Sequence, residues 1–277
     1  MGICESQEEC ESQEEEVKVV TYNIHGGHED FRHENILKVL QSLDADVICL
    51  QEVNNIDPEN TGIDPENTQA HRLADDLRMN CMFGQADENP PTSGNAILSR
   101  FPLTRKKQIY LPHGSITRDN GSRMPGQYER RLALAATVSP FKAALDFLFV
   151  CTHIGIYNTV DTLNDNVSGE PGRLIANLVN SDVYRTTPAL LAGDLNCEWT
   201  EPFTGVVKRL DRNWNMYLSA GTRVGQDETA ANKIDYICDR TRGLWETLAE
   251  TQAVRNADTE EASDHYPVAA VWRPRDA

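Results

Sequence analysis

The sequence has no apolar run long enough to cross a membrane: across 277 residues no stretch approaches the roughly 18 apolar residues that a spanning helix requires. It lacks a positively charged opening followed by an apolar stretch, so no secretory signal is expected and the body reads as soluble. Its seven cysteines include no CxxC pair, and Cys49, Cys151, Cys197 and Cys238 lie in or beside apolar runs. That excludes a secreted disulfide framework and points to reduced thiols in an intracellular, cytoplasmic protein. Positive charge is scarce too, with 26 Lys and Arg against 43 Asp and Glu and a net charge of −17. Such a surface repels a phosphate backbone wherever its field is not locally reversed. It argues against tight, sequence-independent binding to long duplex DNA but leaves small or single-stranded phosphoesters open.

What is present supports a folded body with a polar extension. A hydrophobic fraction of 39% with four Trp, seven Phe and eight Tyr is ample for a core. The length suits one domain, expected over residues 17–277. Residues 1–16 repeat Cys4-Glu5-Ser6-Gln7-Glu8-Glu9 as Cys10-Glu11-Ser12-Gln13-Glu14-Glu15 and have no basic residue, so they read as a disordered acidic tail. Setting aside its seven glutamates leaves about −10 of the −17 on the body. The start Met1-Gly2-Ile3-Cys4-Glu5-Ser6 fits an N-myristoylation pattern with a second acylatable cysteine, although the residues that follow are acidic. Membrane association is expected only if Gly2 is acylated.

Along the body, β-branched and apolar runs alternate with helical patterns. Val17–Tyr22 and Asp46–Leu50 read as buried strands, with a helix near Phe31–Leu43 between them. After the second strand, Ile56-Asp57-Pro58-Glu59-Asn60-Thr61 recurs as Ile63-Asp64-Pro65-Glu66-Asn67-Thr68, a tandem copy expected to be a surface insertion. A helix is expected over Gln69–Met79, then strands near Gly94–Ser99, Arg105–Tyr110, Leu132–Val138 and Leu145–Thr152. The second half shows helices near Gly172–Val183 and Pro202–Leu210, and strands at Ala189–Gly193, Ile234–Cys238 and Val268–Trp272. The order fits two mixed sheets packed face to face with helices outside.

Polar residues recur where apolar strands stop: Asn23, Glu52, His153, Asp194 with Asn196, Asp235, and Asp264 with His265. Singly, each has a structural reading, as a turn acid, a loop acid or a satisfied core histidine. Jointly they need another, because carboxylates brought together are costly unless a cation or proton compensates them. Asp194 and Asn196 are two residues apart, which on an extended segment directs both side chains to one side. Arg130 and Arg131 precede the strand at Leu132, and a guanidinium is a good bidentate phosphate partner. His25 and His28 flank a Gly26-Gly27 turn that lacks nucleotide-binding spacing, and they stay outside the expected site.

Tyr22-Asn23, Gln51-Glu52, Gly193-Asp194-Leu195-Asn196, Ile234-Asp235-Tyr236 and Ser263-Asp264-His265 fall in one order across residues 17–273. In this the chain resembles the endonuclease/exonuclease/phosphatase superfamily. The resemblance implies a four-layered αββα sandwich and a phosphoesterase using Mg²⁺ or Mn²⁺. It further implies that Glu52 holds the ion with Asn23 and Asp264, a donor set that suits hard cations. Asp194 would activate water, and the Asp235–His265 pair would assist. Asn196, His153 and Arg131 would contact the phosphate. The substrate, whether nucleic acid, lipid or small molecule, stays open, and no protein partner is expected. For nucleic acid, Arg105-Lys106-Lys107 and the run from Arg118 to Arg131 with Tyr128 are the modest basic stretches available.

Overall fold

Continuous apolar strands demand burial on both faces, and the sandwich provides it. In the computed structural model, residues 16–26, 30–54, 68–86, 93–117, 123–140, 146–155, 170–197, 214–217, 221–225, 234–248 and 251–275 are described. The acidic tail up to residue 15, the duplicated segment up to residue 67, His28 and the helix expected near Pro202–Leu210 lie outside them.

Strands β1 (Val17–Asn23), β2 (Val47–Asn54), β3 (Asn80–Gln85), β4 (Ser93–Ser99), β11 (Trp245–Thr247), β12 (Gln252–Ala253) and β13 (Val268–Pro274) form one sheet. Its order is β11-β13-β1-β2-β4-β3, with β12 also on β13. Strands β5 (Leu103–Thr117), β6 (Arg123–Val138), β7 (Phe147–His153), β8 (Ala189–Asp194), β9 (Asn215–Met216) and β10 (Asp235–Arg240) form the second, in the order β5-β6-β7-β8-β10-β9. Each sheet has one central parallel pair, β1 with β2 and β7 with β8, and its other described pairings are antiparallel. A parallel pair needs a crossover. Helix α1 (Asp30–Leu43) lies in the first crossover and α3 (Glu170–Val179) in the second. Helices α2 (Gln69–Leu77) and α4 (Ala257–Ala262) complete the described helices.

Strand alternation sorts the apolar residues into three layers. Val17, Val19, Val47 and Cys49 meet Phe147, Phe149, Cys151, Leu190 and Ala192 between the sheets. The intervening Val20, Tyr22, Ile48 and Leu50 pack outward with Ile36, Val39 and Leu40 of α1 and Leu73 of α2. Leu148, Val150 and Leu191 pack outward with Ile175, Leu178 and Val179 of α3. This is the expected αββα sandwich. Among the described residues no helix is long and apolar enough to cross a membrane, and Cys49, Cys151, Cys197 and Cys238 are buried.

The differences from the sequence reading have local causes. Helix α2 stops at Leu77 rather than Met79, because Arg78 turns left-handed with φ 55°. Strand β3 carries few β-branched residues and is held by its ladder to β4. Strands β5 and β6 run well beyond the apolar stretches expected, as a hairpin interrupted by register shifts.

Candidate active site

Register brings the strand-end polar groups to one edge of the sandwich. Asn23 pairs with Gln51 across β1 and β2, setting Glu52 one residue beyond. His153 pairs with Asp194 across β7 and β8, and Asp235 faces Asp194 from the antiparallel β10. Parallel neighbours end together and an antiparallel neighbour begins there, so residues far apart in sequence share one end of the sheets. Gly193 permits the approach of β7 and β8, since a Cβ there would stand 1.9 Å from Thr152 O.

The side chains meet around Asp194, which is 1% exposed. Asn23 Nδ2 donates to Asp194 Oδ2 at 3.1 Å and to Glu52 Oε1 at 2.9 Å, joining the two sheets. His153 Nε2 lies 3.5 Å from Asp194 Oδ2, and His265 Nε2 lies 3.9 Å from it. His265 Nδ1 contacts Asp235 Oδ2 at 2.9 Å. The Asn196 backbone N–H donates to Asp194 Oδ1 at 2.8 Å, and its side-chain Nδ2 donates to Ile154 O at 2.8 Å and sits 2.9 Å from His153 Nε2. Arg131 Nη1 donates to His153 Nδ1 at 3.0 Å.

With Asp264 Oδ1 4.0 Å from His265 Nε2, all nine expected residues are gathered, with one correction of reasoning and one distinction. Asn196 is not on an extended segment: it lies past the end of β8 with φ 48°, and a tight turn closed on Asp194 Oδ1 directs its amide to the site. Of the two arginines, Arg131 is buried against His153 whereas Arg130 is exposed. The residue passed over was His25. Its φ of 50° and the donation of its N–H to Asn23 Oδ1 at 3.0 Å turn it back, placing Nδ1 3.3 Å from Asp264 Oδ1 and 3.7 Å from Glu52 Oε2. The available signal was its position two residues after a strand-end asparagine. Glu52 also has positive φ, 53°, at an irregularity of the β2–β4 ladder. Irregular ladders and left-handed non-glycine residues commonly re-aim side chains at working sites.

Burial and charge drive the titrating groups apart. Burial raises the Asp194 carboxyl from 3.8 to about 7, aided by Asp235 and opposed by His265 and the hydrogen bonds from Asn196 and Asn23. For His265, burial disfavours the charge, but the carboxylates of Asp235, Asp194 and Asp264 outweigh it and raise the ring from 6.5 to about 10. His153 is pushed well below 6.5 by burial and by the charges of Arg131 and His265. A guanidinium only donates, so His153 Nδ1 accepts from Arg131 and the ring is neutral. The site therefore sets one charged imidazole beside one neutral imidazole, a separation that assigns different tasks to like groups.

The donor set fits a divalent cation. Glu52, Asp194, Asp235 and Asp264 converge, while Arg131 is turned to His153 and the imidazolium of His265 is shared among three of the acids. Asp194, Asp235 and His265 offer ligand atoms within 4.8 Å of one another. Asp235 Oδ1 is buried with no hydrogen-bond partner among the described residues. Oxygen-rich, anionic and partly unsatisfied surroundings are those that hard cations take.

Known proteins share this fold. "Uncharacterized protein YbhP" of Escherichia coli (strain K12) is 26% identical over 199 residues, covering 69% of this chain and 70% of that protein. An endonuclease/exonuclease/phosphatase from Beutenbergia cavernae superposes with a TM-score of 0.67 at 21% identity, covering 95% of this chain and 72% of that one. The human Nocturnin catalytic domain with bound sulfate anion superposes with a TM-score of 0.68 at 19% identity, covering 95% and 96%. At these identities the two structures establish the fold. The pattern that defines the Endonuclease/Exonuclease/phosphatase family matches residues 20–265, and the chain belongs to that family.

Proposed function

We propose that this chain is a phosphoesterase that hydrolyses its substrate by direct attack of water, with Mg²⁺ or Mn²⁺ as cofactor. The observation that carries the reading is the convergence on Asp194 Oδ2 of Asn23 at 3.1 Å, His153 at 3.5 Å and His265 at 3.9 Å, from three separate segments. A buried carboxylate with that surround serves no packing purpose, and it is suited to holding a water and taking its proton.

Glu52, with Asn23 and Asp264, would hold the cation, whose positive charge offsets the negative charge that builds on the phosphoryl oxygens. Asp194 orients the water and accepts its proton as the new phosphorus–oxygen bond forms. Asn196 and neutral His153 present hydrogen-bond donors that do not repel an anion. His265, clamped by Asp235, keeps an N–H on Nε2 directed at the same point, where it stabilises charge in the transition state. Arg131 acts through His153, fixing its ring. The leaving oxygen departs as the phosphorus–oxygen bond breaks and is protonated from solvent.

The test is hydrolysis of bis-p-nitrophenyl phosphate, single-stranded DNA, sphingomyelin and inositol phosphates with Mg²⁺, Mn²⁺ or EDTA. Turnover that needs the cation and falls at least about a hundredfold in Asp194→Asn supports the reading, as loss of a group used in proton transfer costs on that order. Turnover unaffected by EDTA and retained in the variant would overturn it.

A further inference from the structure

His25 stands at the mouth of the site, and the hydrolytic reading gives it no task. Its ring is half-exposed, so burial does not explain its place. The turn after β1 is held by the hydrogen bond from its own N–H to Asn23 Oδ1, and the left-handed backbone aims the imidazole between the carboxylates of Asp264 and Glu52. A residue that merely ended a strand would not be held between two acids brought from opposite ends of the chain.

The distances carry chemical information. Nδ1 lies 3.3 Å from Asp264 Oδ1 and 3.7 Å from Glu52 Oε2. Both exceed the roughly 2.7–3.2 Å of a good N–H···O bond. Two donors each about 2.1 Å from one small cation stand about 3.3 Å apart when the angle at the ion is near 104°, and about 3.7 Å apart when it is near 124°. The spacing is that of neighbouring ligands around a first-row metal ion. His25 and Asp264 also border an open cleft of about 290 Å³ formed with Arg32, Val224, Glu260, Glu261 and Ser263, so this side of the group is open to solvent and an ion has an entry path.

Resting on the reading of Glu52, Asn23 and Asp264 as cation-holding groups, we propose that His25 is a further, nitrogen ligand to that cation, and that it biases the site toward first-row transition ions over Mg²⁺. Magnesium strongly prefers oxygen donors and keeps its waters, whereas affinity for a site containing an imidazole rises along the first-row series from manganese, which still favours oxygen, to cobalt and the later ions. An all-oxygen set would discriminate little between Mg²⁺ and Mn²⁺; one ring nitrogen shifts the balance.

The experiment is direct binding to the full chain without substrate: calorimetric titration with Mg²⁺, Mn²⁺ and Co²⁺, and the visible absorption spectrum of the Co²⁺ form, for wild type, His25→Ala and Glu52→Gln. His25→Ala should bind Mn²⁺ and Co²⁺ at least about tenfold more weakly, since even groups one step removed from a metal are worth about that much. Its Mg²⁺ affinity should change less than about threefold, and its Co²⁺ bands should shift on loss of a nitrogen donor. Matching thermal unfolding of the cation-free proteins shows that the fold is intact. Unchanged Mn²⁺ and Co²⁺ affinity and an unchanged Co²⁺ spectrum in His25→Ala, with binding lost in Glu52→Gln, would overturn the role of His25 and leave the hydrolytic reading standing. If wild type and Glu52→Gln bind alike, or neither binds, both fall.

Discussion

Replacing Asp194 with asparagine should stabilise the cation-free protein, and by an amount that depends on pH. The Asp194 carboxyl moves from 3.8 in the unfolded chain to about 7 in the fold, because burial and Asp235 disfavour its charge more than His265 and two hydrogen bonds favour it. The folded state thus holds the proton more tightly, and between these values it binds more protons than the unfolded chain. Stability contributed by this group is present below about pH 4 and is lost as pH rises through about 7. The whole displacement corresponds to roughly 4 kcal/mol, of which about 3 kcal/mol falls between about pH 5 and pH 8. Asparagine never ionises and keeps an oxygen for the Asn196 N–H, but its amide would face the Asn23 amide now 3.1 Å from Oδ2. That donor–donor contact costs on the order of 1 kcal/mol. In EDTA the variant should therefore melt close to wild type near pH 5 and roughly 5–10 °C higher near pH 8, at about 2–4 °C per kcal/mol for a domain of this class. Paired thermal scans at the two pH values measure it. A wild type that melts higher near pH 8, or a difference that does not change with pH, would refute the burial argument.

Gly193→Ala should lose several kcal/mol, roughly 3 or more, because the new Cβ would stand 1.9 Å from Thr152 O and must spread the central parallel pair; denaturant unfolding checks this, and a loss below about 1 kcal/mol would contradict it. For His265, the folded ring titrates near 10 against 6.5 unfolded, so its contribution to stability is complete below about pH 6.5 and disappears as pH climbs through about 10. Asp235→Asn removes the largest favourable partner of that charge, so the ring midpoint followed by NMR should drop by several pH units. A midpoint that stays near 10 would show that the pair is not what holds the proton.

Much of the fold was legible because burial on both faces writes itself into composition. The runs Val17–Tyr22, Asp46–Leu50 and Ala189–Gly193 are apolar at most steps, since alternate residues enter different core layers. A polar residue at either end of such a run was correspondingly conspicuous, which is why Asn23, Glu52, His153 and Asp194, and Asp235 at the start of β10, could be singled out. Strand β3, by contrast, carries no such run, and its structure comes from the ladder to β4. His25 was passed over because a histidine in a glycine-rich turn looks ordinary; only its left-handed backbone and the hydrogen bond to Asn23 turn its ring into the site.

By itself the sequence determined the central buried strands and the polar side chains that stand at their ends, since these follow from local periodicity and the composition of single strands. The tertiary structure alone decided how those ends meet. Register across β7, β8 and β10, together with the packing of one sheet on the other, sets Asp194 within hydrogen-bonding reach of Asn23, 171 residues earlier, and the path of the chain into β13 sets His265 against Asp235. It also decided that His265 is charged while His153 is neutral, because burial and neighbouring charge depend on contacts between segments that no local pattern records.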